Sequence, residues 1–365
     1  MKKVVENVKF IQDGTLVFGD LYLEDGFIER IDYKTPHYNS DIAIPGFVDL
    51  HTHGFAAHAC DNIDSNNLKA LALAYARCGV TSFCPTLHAR PLKEYAKIIK
   101  VYRKVFLGNY HGANYEGVHL EGPYLNKEQC GAMNVHNVQE INILELEEFL
   151  SEFHNDIKIM TLAPELEHAE EAIQLLHLYG IEVSLGHTFA SFQQTLQAFE
   201  LGASQITHLG NKMPSIDHHK ESMMDAIFSS NCKCEIIMDR VHMQKEMLRW
   251  VISLLGIERV IAVSNSSIYS GCNNKIIDPL TKKNGALYQD KTLVGSCCDL
   301  LNMFQYLYCD AQYDLLECMH MCSTNAAKIL NNYAYEIGLG KKINLVILDH
   351  NANLKEVIIN GRSAL

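Results

Sequence analysis

Between residues 47 and 263 the hydrophobic pattern switches period repeatedly. Short apolar runs of β type lie at 47–50, 80–84, 116–119, 158–161, 182–185, 205–207, 235–238 and 259–263. Segments whose apolar positions recur with helical spacing lie between and after them, at 68–78, 92–106, 144–153, 169–178, 191–201 and 244–255. Eight strand-helix units predict an α/β chain folded as a (β/α)8 TIM-like barrel. A doubly wound open sheet is the rival, but it would usually bring an early glycine-rich phosphate turn, and neither that nor a P-loop is present. The two ends read differently. Residues 4–32 form short alternating pieces broken at Asp13-Gly14, Gly19-Asp20 and Asp25-Gly26, and 344–348 with 357–360 have the same character. Residues 1–44 and 341–365 are therefore expected to fold together into a small β-sandwich domain, with residues 45–340 inserted between them as the barrel domain.

Composition narrows the function classes. With 48% hydrophobic and 20% charged residues, the 365-residue chain can bury a large core. A formal charge of −12 argues against nucleic acid or an anionic membrane face as a partner. An anionic substrate would then need a local basic or metal site. Lysines and Glu6 interrupt the first ten residues, so no signal peptide is read, and the apolar run at 250–257 stops at Glu258-Arg259, too short to span a bilayer. The twelve cysteines are dispersed, without Cys-x-x-Cys pairs, and read as buried hydrophobes of a reducing, cytoplasmic setting.

In a barrel of this kind, chemistry collects at the C-terminal ends of the strands. His51 and His53 end the first run. Two residues apart on an extended segment, they point the same way and can reach one ion. The third run ends in His119-Leu120-Glu121-Gly122-Pro123, the fifth in Gly186-His187-Thr188 and the sixth in Thr207-His208-Leu209. Asp239 and His242 follow the seventh, and Ser264-Asn265-Ser266 the eighth. Taken singly, His187 or His208 is as readily a hydrogen-bonded structural histidine. Together, four imidazoles (His51, His53, His187, His208) and the Glu121 carboxylate at strand ends suit a divalent ion, Zn²⁺ first, with Fe²⁺, Mn²⁺ or Co²⁺ as alternatives. His119 is open to three readings, a ligand, a partner behind a ligand or a core histidine, with the second favoured. His58, His136, His218 and His219 fall in loops, where solvated histidines are common.

Several stretches together resemble the N-acetylglucosamine-6-phosphate deacetylase family of the amidohydrolase superfamily. They are PGFVDLHTHG at 45–54, GVHLEGPYLN at 117–126, TLAPE at 161–165, LGHT at 185–188, THLGNKMP at 207–214, LVGS at 293–296 and GKKINLVILD at 340–349. The resemblance implies hydrolysis of a linear amide, the acetyl group of an N-acetyl-amino-sugar 6-phosphate, N-acetylglucosamine 6-phosphate first. By position it implies Glu121, His187 and His208 as primary metal ligands and His51 with His53 as the pair that holds a second ion where the family has one, so that one or two ions are expected. Asn211, Lys212, His242 and Leu293-Val294-Gly295 fall where the family contacts the sugar phosphate. It also implies a homodimer, with the 215–224 loop reaching toward the neighbouring site.

The departures from the family pattern are specific. Asn265 stands where the family carries the aspartate that takes a proton from the attacking water and hands it to the departing amine. A carboxamide has no basic lone pair at neutral pH, so a loss on the order of 10²–10⁴-fold is expected from this substitution. Met133, beside Ala132, occupies a position where a histidine usually touches substrate. His219 replaces a phosphate-clamping arginine, and Arg240 replaces a glycine. Lys212, His219, Lys220 and Arg240 are left as candidate positive charge for an anion. Two other functions fit this pattern. One is a catalytically impaired form, natural or engineered at Asn265, or a silent metal-dependent binder of a sugar phosphate. The other is an amidohydrolase acting on a different N-acyl substrate.

Overall fold

The computed structural model describes residues 2–37, 39–272, 276–277, 280–289, 291–331 and 335–364. Every apolar run becomes a barrel strand: Phe47–Thr52, Val80–His88, Val118–Glu121, Ile157–Leu162, Glu182–Leu185, Ala203–Ile206, Lys233–Ile236 and Val260–Ala262. They pair in parallel in chain order. Hydrogen bonds just past the strand ends close the cylinder, Asn265 N to His51 O at 2.9 Å and His53 N to Ser266 O at 2.8 Å. Strands covered on both faces must be apolar on both, which is why these segments read as continuous runs.

The second strand is longer than its run because Pro85 reads as a stop. Its missing N–H falls opposite Thr52, where the ladder slips register, so the strand continues to His88 and carries that side chain to the barrel mouth. The helices pack outside. Leu92–Phe106 shows the logic: Leu92, Tyr95, Ile98, Ile99, Tyr102 and Val105 are buried on one face at helical spacing. Several elements were not anticipated, among them the helices Leu300–Gln305, Leu315–Met319 and Asn325–Ile329. A short helix, Met223–Ser229, follows strand six, and a four-stranded antiparallel sheet within 276–296 follows strand eight.

The chain ends form one seven-stranded sheet in which Asp41–Pro45 lies between Lys2–Gln12 and the C-terminal Leu345–Leu348. Its period-2 alternation serves two cores. Ala43, Leu345, Ile347 and Ile358 face a core private to the sheet, while Ile42, Ile44, Val346, Leu348, Val357 and Ile359 face the core shared with the barrel. The sheet curls back until the turn at Gly26 meets the turn at Gly361. A Cβ on Gly361, which has φ +77°, would lie 2.5 Å from Gly26 N.

Gly46 joins this sheet to the first barrel strand, and a Cβ there would lie 2.0 Å from the fully buried Thr81 hydroxyl. Gly46→Ala is therefore expected to destabilise the fold by about 2–4 kcal/mol through overpacking, read as a lowered denaturant midpoint.

Candidate metal centre and active site

The ends of strands one, three, five and six bring five predicted side chains together. Glu121 Oε1 lies 3.0 Å from His187 Nε2 and 3.2 Å from His208 Nε2, and the two imidazole nitrogens are 3.0 Å apart. On the other side His51 Nε2 lies 3.3 Å from His53 Nε2 and 3.4 Å from Glu121 Oε1, and His53 Nε2 is 3.5 Å from Glu121 Oε2. Metal–nitrogen bonds of about 2.0–2.1 Å in a tetrahedron put neighbouring ligand atoms about 3.3–3.4 Å apart. Both triads, His51-His53-Glu121 and Glu121-His187-His208, can thus hold a metal ion, with Glu121 common to them.

Tautomers provide an independent test of that fit. His187 Nδ1 donates to the Gln129 carbonyl at 2.7 Å, and His53 Nδ1 to the Thr86 carbonyl at 3.1 Å. A carbonyl only accepts, so each ring carries its proton on Nδ1 and turns a bare Nε2 lone pair toward the Glu121 carboxylate. Acceptors facing acceptors at these distances call for a cation or an added proton between them. His208 Nδ1 is buried with no hydrogen-bond partner among the described residues.

His51 is oriented from behind. Its Nδ1 donates to Glu235 Oε2 at 2.8 Å, and Gln205 Nε2 holds the other Glu235 oxygen at 2.7 Å. Burial opposes charging His51, but Glu235 and Glu121 overcome it and push its pKa up to about 10. Burial likewise opposes the Glu121 charge, yet a charged His51 and the close His187 and His208 rings hold it well below the usual carboxylate range. A proton on His51 meets the demand of two buried carboxylates when no cation is near. A divalent ion held by Glu121 and the imidazoles would supply positive charge in place of that proton and leave His51 Nε2 free as a ligand. Glu235→Gln is expected to weaken metal binding about 10–100-fold, measured by competition with a chromophoric chelator.

His119 is not brought into either ring with Glu121. Its Nδ1 donates to Leu50 O at 3.0 Å and its Nε2 accepts from the Thr161 hydroxyl at 2.8 Å, and burial draws its pKa down to about 4. Its edge packs against the His51 ring, 4.8 Å between centroids, so it buttresses that ligand candidate.

A cavity of about 740 Å³ opens above the cluster. His53, Glu121, His187 and His208 lie in its wall, and so do Asn265, Ala132, Met133, Asn211, Lys212, His242, Leu293, Val294 and Gly295. Asn265 has φ +42°, a conformation asparagine tolerates, and its backbone is tied to His51 on one side and Ser296 on the other. His242 Nδ1 donates to Asp239 Oδ2 at 2.6 Å, and Asp239 also accepts the backbone N–H groups of Val241 and His242. His219 is not among the wall residues. It is exposed and packs on His218. Lys220 is exposed on the same loop. Arg240 is also absent from the wall: its guanidinium lies 4.3 Å from the Tyr306 ring centroid and pairs with Asp310.

Glu235, His88 and Arg90 were not singled out as site residues in the sequence. Glu235 begins a run that reads as packing, and a lone buried carboxylate in an apolar strand was the available signal. His88 stacks on His53 at 3.7 Å and approaches Glu121 Oε2 at 3.3 Å. Arg90 follows it in the cavity wall.

A barrel with histidines and a glutamate gathered at the strand ends is the architecture of a metal-dependent hydrolase, and the chain belongs to the Amidohydrolase family, whose pattern matches residues 42–364. Its relatives there include the N-acetylgalactosamine-6-phosphate deacetylase of Escherichia coli O157:H7, 26% identical over 365 residues, covering 97% of this chain and 96% of that protein. The N-acetylglucosamine-6-phosphate deacetylase of Lysinibacillus sphaericus is 26% identical over 361 residues, 94% of this chain and 92% of that protein. The crystal structure of N-acetylglucosamine-6-phosphate deacetylase from Thermotoga maritima matches with a TM-score of 0.89 at 26% identity, covering 100% of this chain and 99% of that one. The likeness read from the motifs therefore extends over the whole chain. Among the described residues no helix is long and apolar enough to cross a membrane.

Proposed function

We propose that the protein is a metal-dependent deacetylase that hydrolyses the acetamide of an N-acetyl-amino-sugar 6-phosphate, with N-acetylglucosamine 6-phosphate the first choice and its galactosamine isomer the second. The observation that carries this reading is the set of Nε2 lone pairs and Glu121 oxygens converging on the floor of a cavity large enough for a sugar. Glu121, His187 and His208 would hold one divalent ion, Zn²⁺ before Fe²⁺, Mn²⁺ or Co²⁺, and His51 with His53 a second that shares Glu121. When bound, the metal polarises the amide carbonyl and makes water more acidic. In the reaction, water oxygen bonds to the acetyl carbon, the C–N bond breaks, and acetate and a protonated amine leave. His242, its ring fixed by Asp239, presents its other nitrogen to substrate oxygens. Asn211 and Leu293-Val294-Gly295 shape the sugar site, with Ala132 and Met133 on the wall. Residue 265 would be the station for the proton, a role that the Asn265 carboxamide cannot fill.

Asn265 also favours a second reading. With a carboxamide at that station, the chain would bind a sugar phosphate through its metal and turn it over slowly or not at all. Zinc-loaded protein incubated with N-acetylglucosamine 6-phosphate, its galactosamine isomer and a panel of other N-acyl compounds separates the cases by acetate or acid release. Release from the first pair supports the deacetylase, and release only from other members of the panel moves the substrate assignment. A cytoplasmic homodimer belongs to the same proposal and gives the exposed His219 a place at the partner's cavity. Sedimentation at micromolar protein tests it, and a monomer would remove His219 from the site.

A further inference from the structure

Neither Arg240 nor the His219–Lys220 loop lines the cavity of its own chain, so the positive charge that faces the anion of a phosphorylated substrate must come from other side chains in the wall. Among the described residues two lysine or arginine side chains line it, Arg90 and Lys212. They flank the same loop. Ala89 packs in a small buried cluster with Cys130, Val138 and Met133, which pins the start of the Arg90 segment against residues 130–138. A Cβ on Gly131 of that loop would lie 3.0 Å from the Lys212 ε-carbon.

We propose that Arg90, assisted by Lys212, is the anchor for the substrate's phosphate monoester in this protein. This rests on the deacetylase reading and names the residues that would give it phosphate selectivity. The Arg90 guanidinium is held in place without being used up. Its Nε donates to the His88 carbonyl at 3.1 Å and one Nη2 hydrogen to Asp61 Oδ2 at 3.3 Å, a single contact rather than a two-pronged one. The arginine side chain is 14% exposed while Asp61 is 50% exposed, so the pair is anchored from the arginine side and Asp61 stays solvated. An ion pair of that kind is weak. It orients the guanidinium and leaves the remaining N–H groups for a phosphate, whose oxygens match the arginine fork.

The test compares N-acetylglucosamine 6-phosphate with unphosphorylated N-acetylglucosamine on the zinc-loaded full chain. Arg90→Ala is expected to raise KM for the phosphorylated sugar about 10–100-fold with kcat within about threefold, and to leave the unphosphorylated sugar unchanged. Arg90→Lys should recover only part of the loss, because an ammonium cannot form the fork. Lys212→Met should shift KM in the same direction by less. An unchanged ratio of kcat/KM between the two sugars in Arg90→Ala would overturn the proposal. If the wild-type chain releases acetate from neither sugar, calorimetric titration with N-acetylglucosamine 6-phosphate decides. Binding lost in Arg90→Ala upholds the anchor while the deacetylase reading falls, and equal binding by both proteins, or none by the wild type, rejects the anchor.

Discussion

Replacing Asn265 by aspartate is expected to raise kcat/KM for acetate release on the order of 10²–10⁴-fold, the usual contribution of a well-placed general acid–base group. The two side chains have the same shape, and aspartate is also tolerated at φ +42°, so the backbone ties to His51 and Ser296 need not change. What changes is chemistry. The carboxamide oxygen is not basic at neutral pH, whereas a carboxylate accepts a proton from water and returns it to the leaving amine. The pH–rate profile should gain an acid limb, with rate falling as the new carboxylate is protonated. Steady-state kinetics of the two proteins across pH 4–9 would show both effects. No acceleration would take residue 265 off the proton path, and no acetate from either protein would end the deacetylase proposal.

The legible and illegible parts of the site divide along a physical line. His51, His53, Glu121, His187 and His208 could be picked out because each sits where an apolar strand run stops, and a parallel barrel places such points at one mouth. Glu235 could not, since its role depends on His51 and Gln205 from two other strands. His88 and Arg90 were hidden by Pro85, which reads as the end of a strand that the fold continues through a register slip. The four-stranded sheet within 276–296 was missed because a strand such as Leu280–Lys283 is short and polar, with little burial to mark it. Its last strand, Thr292–Ser296, nonetheless delivers Leu293, Val294 and Gly295 to the cavity, which the motif resemblance had located without any account of the sheet that holds them.

Removing the cation should have the other large effect. Dialysis against a chelator is expected to abolish hydrolysis and to lower stability by about 3–4 kcal/mol relative to protein in a hundred- to thousandfold excess of metal over its Kd. At the length of this chain that corresponds to a Tm lower by roughly 4–5 °C. The reason is local: without the ion, the lone pairs of His187 and His53 face the oxygens of a buried carboxylate. Glu121→Gln keeps the side-chain shape but removes the charge shared by both triads, so it should cost several kcal/mol of transition-state stabilisation, on the order of 10³-fold in kcat or more. The pH dependence has a definite sign. Burial disfavours a charged His51, but Glu235 and Glu121 raise its pKa to about 10, so the metal-free protein holds a proton there at neutral pH. Coordination through Nε2 must displace that proton, and apparent metal affinity should therefore rise with pH until the ring is neutral without the ion. Zinc titrations at pH 6, 7 and 8, with proton uptake or release followed in buffers of different ionisation enthalpy, measure this directly. An affinity independent of pH, with no proton released, would mean that His51 is not displaced and that the ion sits on Glu121, His187 and His208 alone.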